Sequence, residues 1–154
     1  MIYAMRWAMV LVAAIALNGC VVANAIVTPY TDLHFAPHGN INPDASGRSS
    51  PLVVRIYELK SAAKFKDAGF FEIYDDAEAL LDEDLLGYVE TIIRPTRGQV
   101  HEMRLHKETT HIGIVAAFRD IENAEWKLTL AADPRGYDDL RISIDSRAIA
   151  REDR

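Results

Sequence analysis

Five histidines, 23 acidic residues and a single cysteine are the side chains of this 154-residue chain best equipped for chemistry, and their spacing decides what they can do. His101, Glu102 and His106 form H-E-x-x-x-H, one residue longer than the zinc-binding H-E-x-x-H pattern. On a helix the two imidazoles would stand about 140° apart at 3.6 residues per turn, and on a strand they would point to opposite faces. His34 and His38 flank Pro37, which predicts surface histidines in a loop. A calcium loop opened at Asp82 has Asp84 at position 3 and Gly87 at position 6, but it puts Leu86 at 5 and Ile93 at 12, where oxygen ligands are required. Opened at Asn40, the same loop meets Ala45 where glycine is needed. No G-x-S-x-G elbow is present, and Gly47 and Gly98 lie in no phosphate-cradling fingerprint. The residues therefore predict no enzyme, no metal site, no cofactor and no small-molecule substrate.

Cys20 is different, because what precedes it supplies a role. Residues 1–6 carry one positive charge, Arg6, and residues 7–17 are an unbroken apolar run of 11. A bilayer span takes about 20 residues, so this run has the length of a secretory signal instead. The true start is either Met1 or Met5, since either leaves Arg6 ahead of the run. Leu17-Asn18-Gly19-Cys20 resembles a bacterial lipobox, in which the cysteine is acylated and becomes the mature N-terminus. A lone thiol is a liability in an oxidising compartment, and acylation would consume it. The alternative is a plain secretory signal cleaved near 23–25, with a stray cysteine.

The expected organisation is a signal peptide over 1–19, then the lipidated Cys20 and a tether to 31. Val21 follows the cysteine where Asp would signal inner-membrane retention, so sorting to the outer membrane, facing the periplasm, is expected. Each acyl CH₂ buried contributes roughly 0.8 kcal/mol, which makes several chains a durable anchor. Loss of Arg6 with the signal takes the formal charge from −6 to −7. An acidic chain without a basic block is a poor ligand for nucleic acid and for anionic lipid.

Beyond the tether the chain has room for one domain and a sizeable core. Leu52–Leu59 mixes β-branched and aromatic residues in alternation and predicts a strand; Arg55 and Tyr57 belong to its sheet. Further strands are expected at 33–36, 88–94, 100–106, 111–119, 126–131 and 140–145, making seven. Turn residues separate them, as at Pro95-Thr96-Arg97-Gly98 and Asp133-Pro134-Arg135-Gly136. Short strands at this spacing indicate a β-sandwich, here over 32–148 with a tail at 149–154.

Between 61 and 86 the period changes to that of helices. Phe70, Tyr74, Ala77, Leu81 and Leu85 share one face, Ser61 and Asp67 are N-cap candidates, and Gly87 is a C-terminal cap candidate. Nine acidic residues and no basic ones lie between Asp67 and Glu90, which predicts a solvated acidic face or one that meets a basic partner.

Residues 40–50 are loop by composition, with two Asn, Pro43, Asp44, Gly47 and three Ser, and nothing in this reading lets the segment bury a core. With the R-I-Y-x-L strand at 55–59, Phe65, the Phe70-Phe71 pair and the later I-G-I-V-A-A-F-R-D segment at 112–120, the N-P-D-x-x-G-R-x-x-P loop at 42–51 resembles the outer-membrane lipoprotein of type VI secretion systems, the TssJ family, also called VasD or SciN. The resemblance spans roughly 33–144 and implies a mainly β fold, a transthyretin-like sandwich of two antiparallel sheets with a short helical insertion at about 61–86. It also implies a non-enzymatic role, in which the loop contacts the periplasmic domain of the inner-membrane protein TssM and tethers the trans-envelope complex. Carried onto this sequence, the binding loop comprises Asn40, Asn42, Pro43, Asp44, Gly47, Arg48 and Ser49. Thr96-Arg97 separates Pro95 from Gly98 where the family often has Pro-Gly adjacent, a departure that bears on that turn alone. The competing expectation is a periplasmic ligand-carrying or inhibitory lipoprotein that uses the sandwich interior or the acidic helices.

Overall fold

Alternating apolar residues set eight strands into two four-stranded sheets in the computed structural model, which describes residues 28–152. The strands are β1 (Tyr30–Pro37), β2 (Leu52–Leu59), β3 (Leu85–Ile93), β4 (Gln99–Met103), β5 (His111–Ala116), β6 (Lys127–Ala131), β7 (Tyr137–Ile144) and β8 (Ile149–Arg151). One sheet is ordered β4-β1-β7-β8 and the other β3-β2-β5-β6. Three sequence expectations change here. The expected tail contributes β8, which pairs with β7 because Ile149 reaches the core. The first sheet is mixed, since β1 runs parallel to β7 while its other neighbour, β4, is antiparallel. The first strand, expected at 33–36, runs from Tyr30 to Pro37 as β1, so His34 is a strand residue and not a loop one.

The space between the sheets is filled by the chain's own side chains, among them Leu33, Phe35, Val54, Ile56, Ile114, Ile142 and Ile144, each no more than 2% exposed. Full burial of such a side chain contributes about 1.5–3 kcal/mol, and the packing occupies the interior that a ligand carrier would need.

The opposite face of β2 and β5 is covered by helix α1 (Ala63–Asp67) and helix α2 (Phe70–Leu81). Tyr57, Leu59, Phe65, Ile73, Ala77, Leu81 and Val115 form this second core. Phe65 lies on Gly113 so closely that a Cβ there would come within 2.6 Å of its ring. The caps differ from expectation. Gly69 precedes α2 and its N–H donates to Glu72 Oε2 (2.7 Å), whereas Asp67 ends α1, and Gly87 lies inside β3. Non-helical angles at Asp76 divide α2, and the Asp76 carboxylate accepts the Ala79 N–H (3.2 Å) to restart it. Arg55 is structural, as read: it donates to Glu90 Oε2 (2.8 Å) and the Tyr74 carbonyl (2.6 Å) and stacks 3.8 Å from the Tyr74 ring centre. Lys127 Nζ donates to the carbonyls of Phe65, Lys66 and Ala68 at the C-terminal end of α1, and burial pulls its pKa down.

The topology gives the sandwich two distinct ends. The chain enters at Tyr30, and eight residues at about 3.3 Å each carry β1 roughly 25 Å to the far end. There the registers bring together segments 38–51, 94–98, 117–126 and 145–148.

Candidate functional site

Segment 38–51 is the longest of the far-end connections, and it is built rather than loose. The Asp44 carboxylate accepts the N–H groups of Ser46 (2.8 Å) and Arg48 (3.0 Å) through Oδ1 and the Arg48 Nε–H (2.9 Å) through Oδ2. Backbone bonds from Gly47 N–H to Asp44 O (2.9 Å) and from Asp44 N–H to Arg48 O (2.8 Å) close the turn. Gly47 sits at φ 77°, in the left-handed region that glycine enters at least cost. These donors, the Arg48 backbone N–H foremost and then its side chain, hold the Asp44 carboxyl below its ordinary pKa.

The residues expected to meet a partner separate into two groups. Asn40, Gly47 and Arg48 are exposed, with the Arg48 side chain 81% accessible; Pro43, Asp44 and Ser49 are half-buried. Asn42 is only 4% exposed and faces inward. Its Nδ2 donates to the Pro51 carbonyl (2.9 Å), its Oδ1 accepts the Arg119 backbone N–H (2.9 Å), and its own N–H donates to Ser146 O (3.1 Å). Asn42 thus clamps the loop from within. Ile41 is fully buried in the main core and Ser50 is 8% exposed, so the segment does bury apolar surface, contrary to expectation. Cys20 lies outside the described residues.

Clamping by Asn42 creates a feature that sequence reading missed. Pro43, Asp44, Ala45, Arg119, Asp120 and Arg147 line an open cleft of about 420 Å³ between the loop and segments 117–126 and 145–148. Arg147 Nε lies 3.2 Å from Asp120 Oδ2, and the Arg48–Asp44 pair closes at 2.8 Å. Arg119 ends the quoted 112–120 segment, but nothing local marks it or Arg147 as part of a cleft, because only the strand order brings them beside the loop.

The histidines of H-E-x-x-x-H do not converge. His101 is half-buried in β4, while His106 lies beyond that strand, its ring 3.7 Å from Glu108 Oε2. Among the described residues, Asp32, His34 and Asp139 are the ones that could hold a cation, with one donor atom each within 4.8 Å of the others. The parallel β1–β7 register puts Asp32 opposite Asp139, and His34 Nε2 is 3.3 Å from Asp139 Oδ1. Asp32 and His34 are partly buried and Asp139 is exposed. No helix among the described residues is long and apolar enough to cross a membrane.

Comparison with known proteins bears on the same span. The family described as type VI secretion lipoprotein, VasD, EvfM, TssJ, matches residues 29–147. The fold is similar to that of the T6SS lipoprotein TssJ1 from Pseudomonas aeruginosa, at 31% identity and TM-score 0.78, with 83% of this chain and 98% of that one covered. It is similar to Serratia marcescens Lip, described as a membrane bound component of the type VI secretion system, at 20% identity and TM-score 0.76, covering 83% and 99%. A chain in a structure described as the T6SS protein TssM C-terminal domain (869-1107) from EAEC also matches, at 23% identity and TM-score 0.66, covering 81% and 98%. Among curated proteins, none matches the sequence.

Proposed function

This chain belongs to the type VI secretion lipoprotein family, and from that premise we propose that it is an adaptor anchored in the outer membrane through acylated Cys20, facing the periplasm and binding the periplasmic domain of TssM. The observation that carries this reading is the position of the loop. Where the chain enters from the tether, at Tyr30, is one end of β1, and the hydrogen-bonded loop of 38–51 is at the other. A partner would be met on the side facing away from the anchor, by a loop that loses little conformational entropy on binding because it is already ordered.

The match to a chain in the TssM structure supports the choice of partner. That chain is 98% covered by 81% of this 154-residue protein, so it is shorter than the TssM span 869–1107. We read it as a lipoprotein-like companion of that domain.

Removing the whole of 40–50 would take Ile41 and Asn42 out of the fold, so the test is narrower. Residues 44–48 are replaced by Gly and Ser in the full-length chain, and co-purification with the TssM C-terminal domain is measured alongside thermal unfolding. Loss of binding with a folded sandwich is expected. Undiminished binding would overturn the role of the loop.

A further inference from the structure

Of the three arginines around the far-end cleft, two are neutralised within the chain: Arg48 by Asp44 and Arg147 by Asp120. The Arg119 side chain forms no ion pair among the described residues; only its backbone N–H is engaged, by Asn42. The residue is exposed at the cleft, close enough to Asp44 to help hold that carboxyl's pKa down. Among the residues that line the cleft, Arg147 is paired with Asp120, which leaves the Arg119 guanidinium as the lining charge without an ion-pair partner among the described residues, on a chain of formal charge −6.

We propose that this cleft receives an acidic side chain of the partner protein, with Arg119 as its ligand and Arg147 flanking it. The proposal rests on the adaptor reading above and extends it from the loop tip to a specific recognition chemistry. A guanidinium presents paired donors that match both oxygens of a carboxylate. Pro43 and Ala45 contribute apolar wall on one side, which lowers the local dielectric and strengthens the pairing as water leaves. The cleft is also preformed. Asn42 ties the loop to segment 117–126 through the Arg119 N–H and to 145–148 through Ser146 O, and Glu125 N–H bonds Arg147 O at 2.8 Å, so its walls are hydrogen-bonded to one another before any partner arrives.

The experiment measures affinity of the full-length chain for the TssM C-terminal domain at low and high salt. It compares the unsubstituted protein, Arg119→Glu, Arg119→Lys and the chain with Gly and Ser at 44–48. Arg119→Glu should weaken binding about tenfold or more and flatten its salt dependence, as expected when one charged contact is reversed. Arg119→Lys should recover part of the loss, because it keeps the charge but not the paired geometry. Unfolding midpoints of both should stay close to the parent, since the Arg119 side chain is exposed and its part in the fold is a long-range charge effect on Asp44, behind the bonds from Arg48 and Ser46. Arg119→Glu binding within about twofold of the parent, while the Gly and Ser loop abolishes binding, would overturn this proposal and leave the adaptor reading standing. Parent-like binding by both would overturn the two together.

Discussion

The Oδ1 atom of Asn42 accepts the backbone N–H of Arg119 at 2.9 Å across 77 residues of sequence. This bond, with the one from Nδ2 to Pro51 O, makes Asn42 an internal brace of the far end of the sandwich. Asn42 also sits at φ 46°, a conformation that Asn tolerates better than most residues. Asn42→Ala leaves the part-buried Arg119 N–H and Pro51 carbonyl without their partner and should cost about 1 kcal/mol or more, read by chemical denaturation. Asn42→Gly relieves the backbone but not the lost bonds, so it should fall short of full stability as well.

Gly113 and Phe65 predict a second loss of stability. Because a Cβ at 113 would come within 2.6 Å of the ring, Gly113→Ala must displace Phe65 from the core under the helices. A cost of about 1–3 kcal/mol is expected for such overpacking. Combining it with Phe65→Leu should cost less than the sum of the single changes, and a double-mutant cycle measures that coupling.

Thr96 predicts a gain. It occupies φ 60° in the turn between β3 and β4, where Arg97 N–H bonds Arg94 O at 3.2 Å. A β-branched side chain is strained there, so Thr96→Gly should raise stability by about 1 kcal/mol, seen as a higher midpoint of thermal unfolding.

Asp44 sets the pH response of the loop. Its folded pKa lies below the ordinary 3.8, so the stabilisation is fully present above that value and is lost as pH falls through the lower folded one. Hydrogen exchange at the Ser46 and Arg48 amides should therefore stay slow at neutral pH and speed up selectively in acid. Asp44→Asn should remove most of that pH dependence.

Cys20 carries the last prediction. Cys20→Ser should move the protein from the membrane fraction to the soluble periplasmic fraction, checked by fractionation and by loss of labelled fatty acid. A variant that stays with the membrane would sink the anchor.

How much of this could be read from the chain alone depended on the range of the interactions. Period-two alternation of Leu52, Val54 and Ile56, turn residues between short apolar runs and the helical spacing of Ala77 and Leu81 are local, and they fixed a mainly β sandwich with a helical insertion. The loop motif and the strand after it pointed to the family for the same reason, as residues contiguous in sequence. Which residues share a surface was not local. The parallel pairing of β1 with β7, the burial of Ile41 and Asn42, and the meeting of Arg119 and Arg147 beside Asp44 depend on strand order. Strand order is set by how two apolar faces close on one another, and no stretch of sequence contains both faces at once.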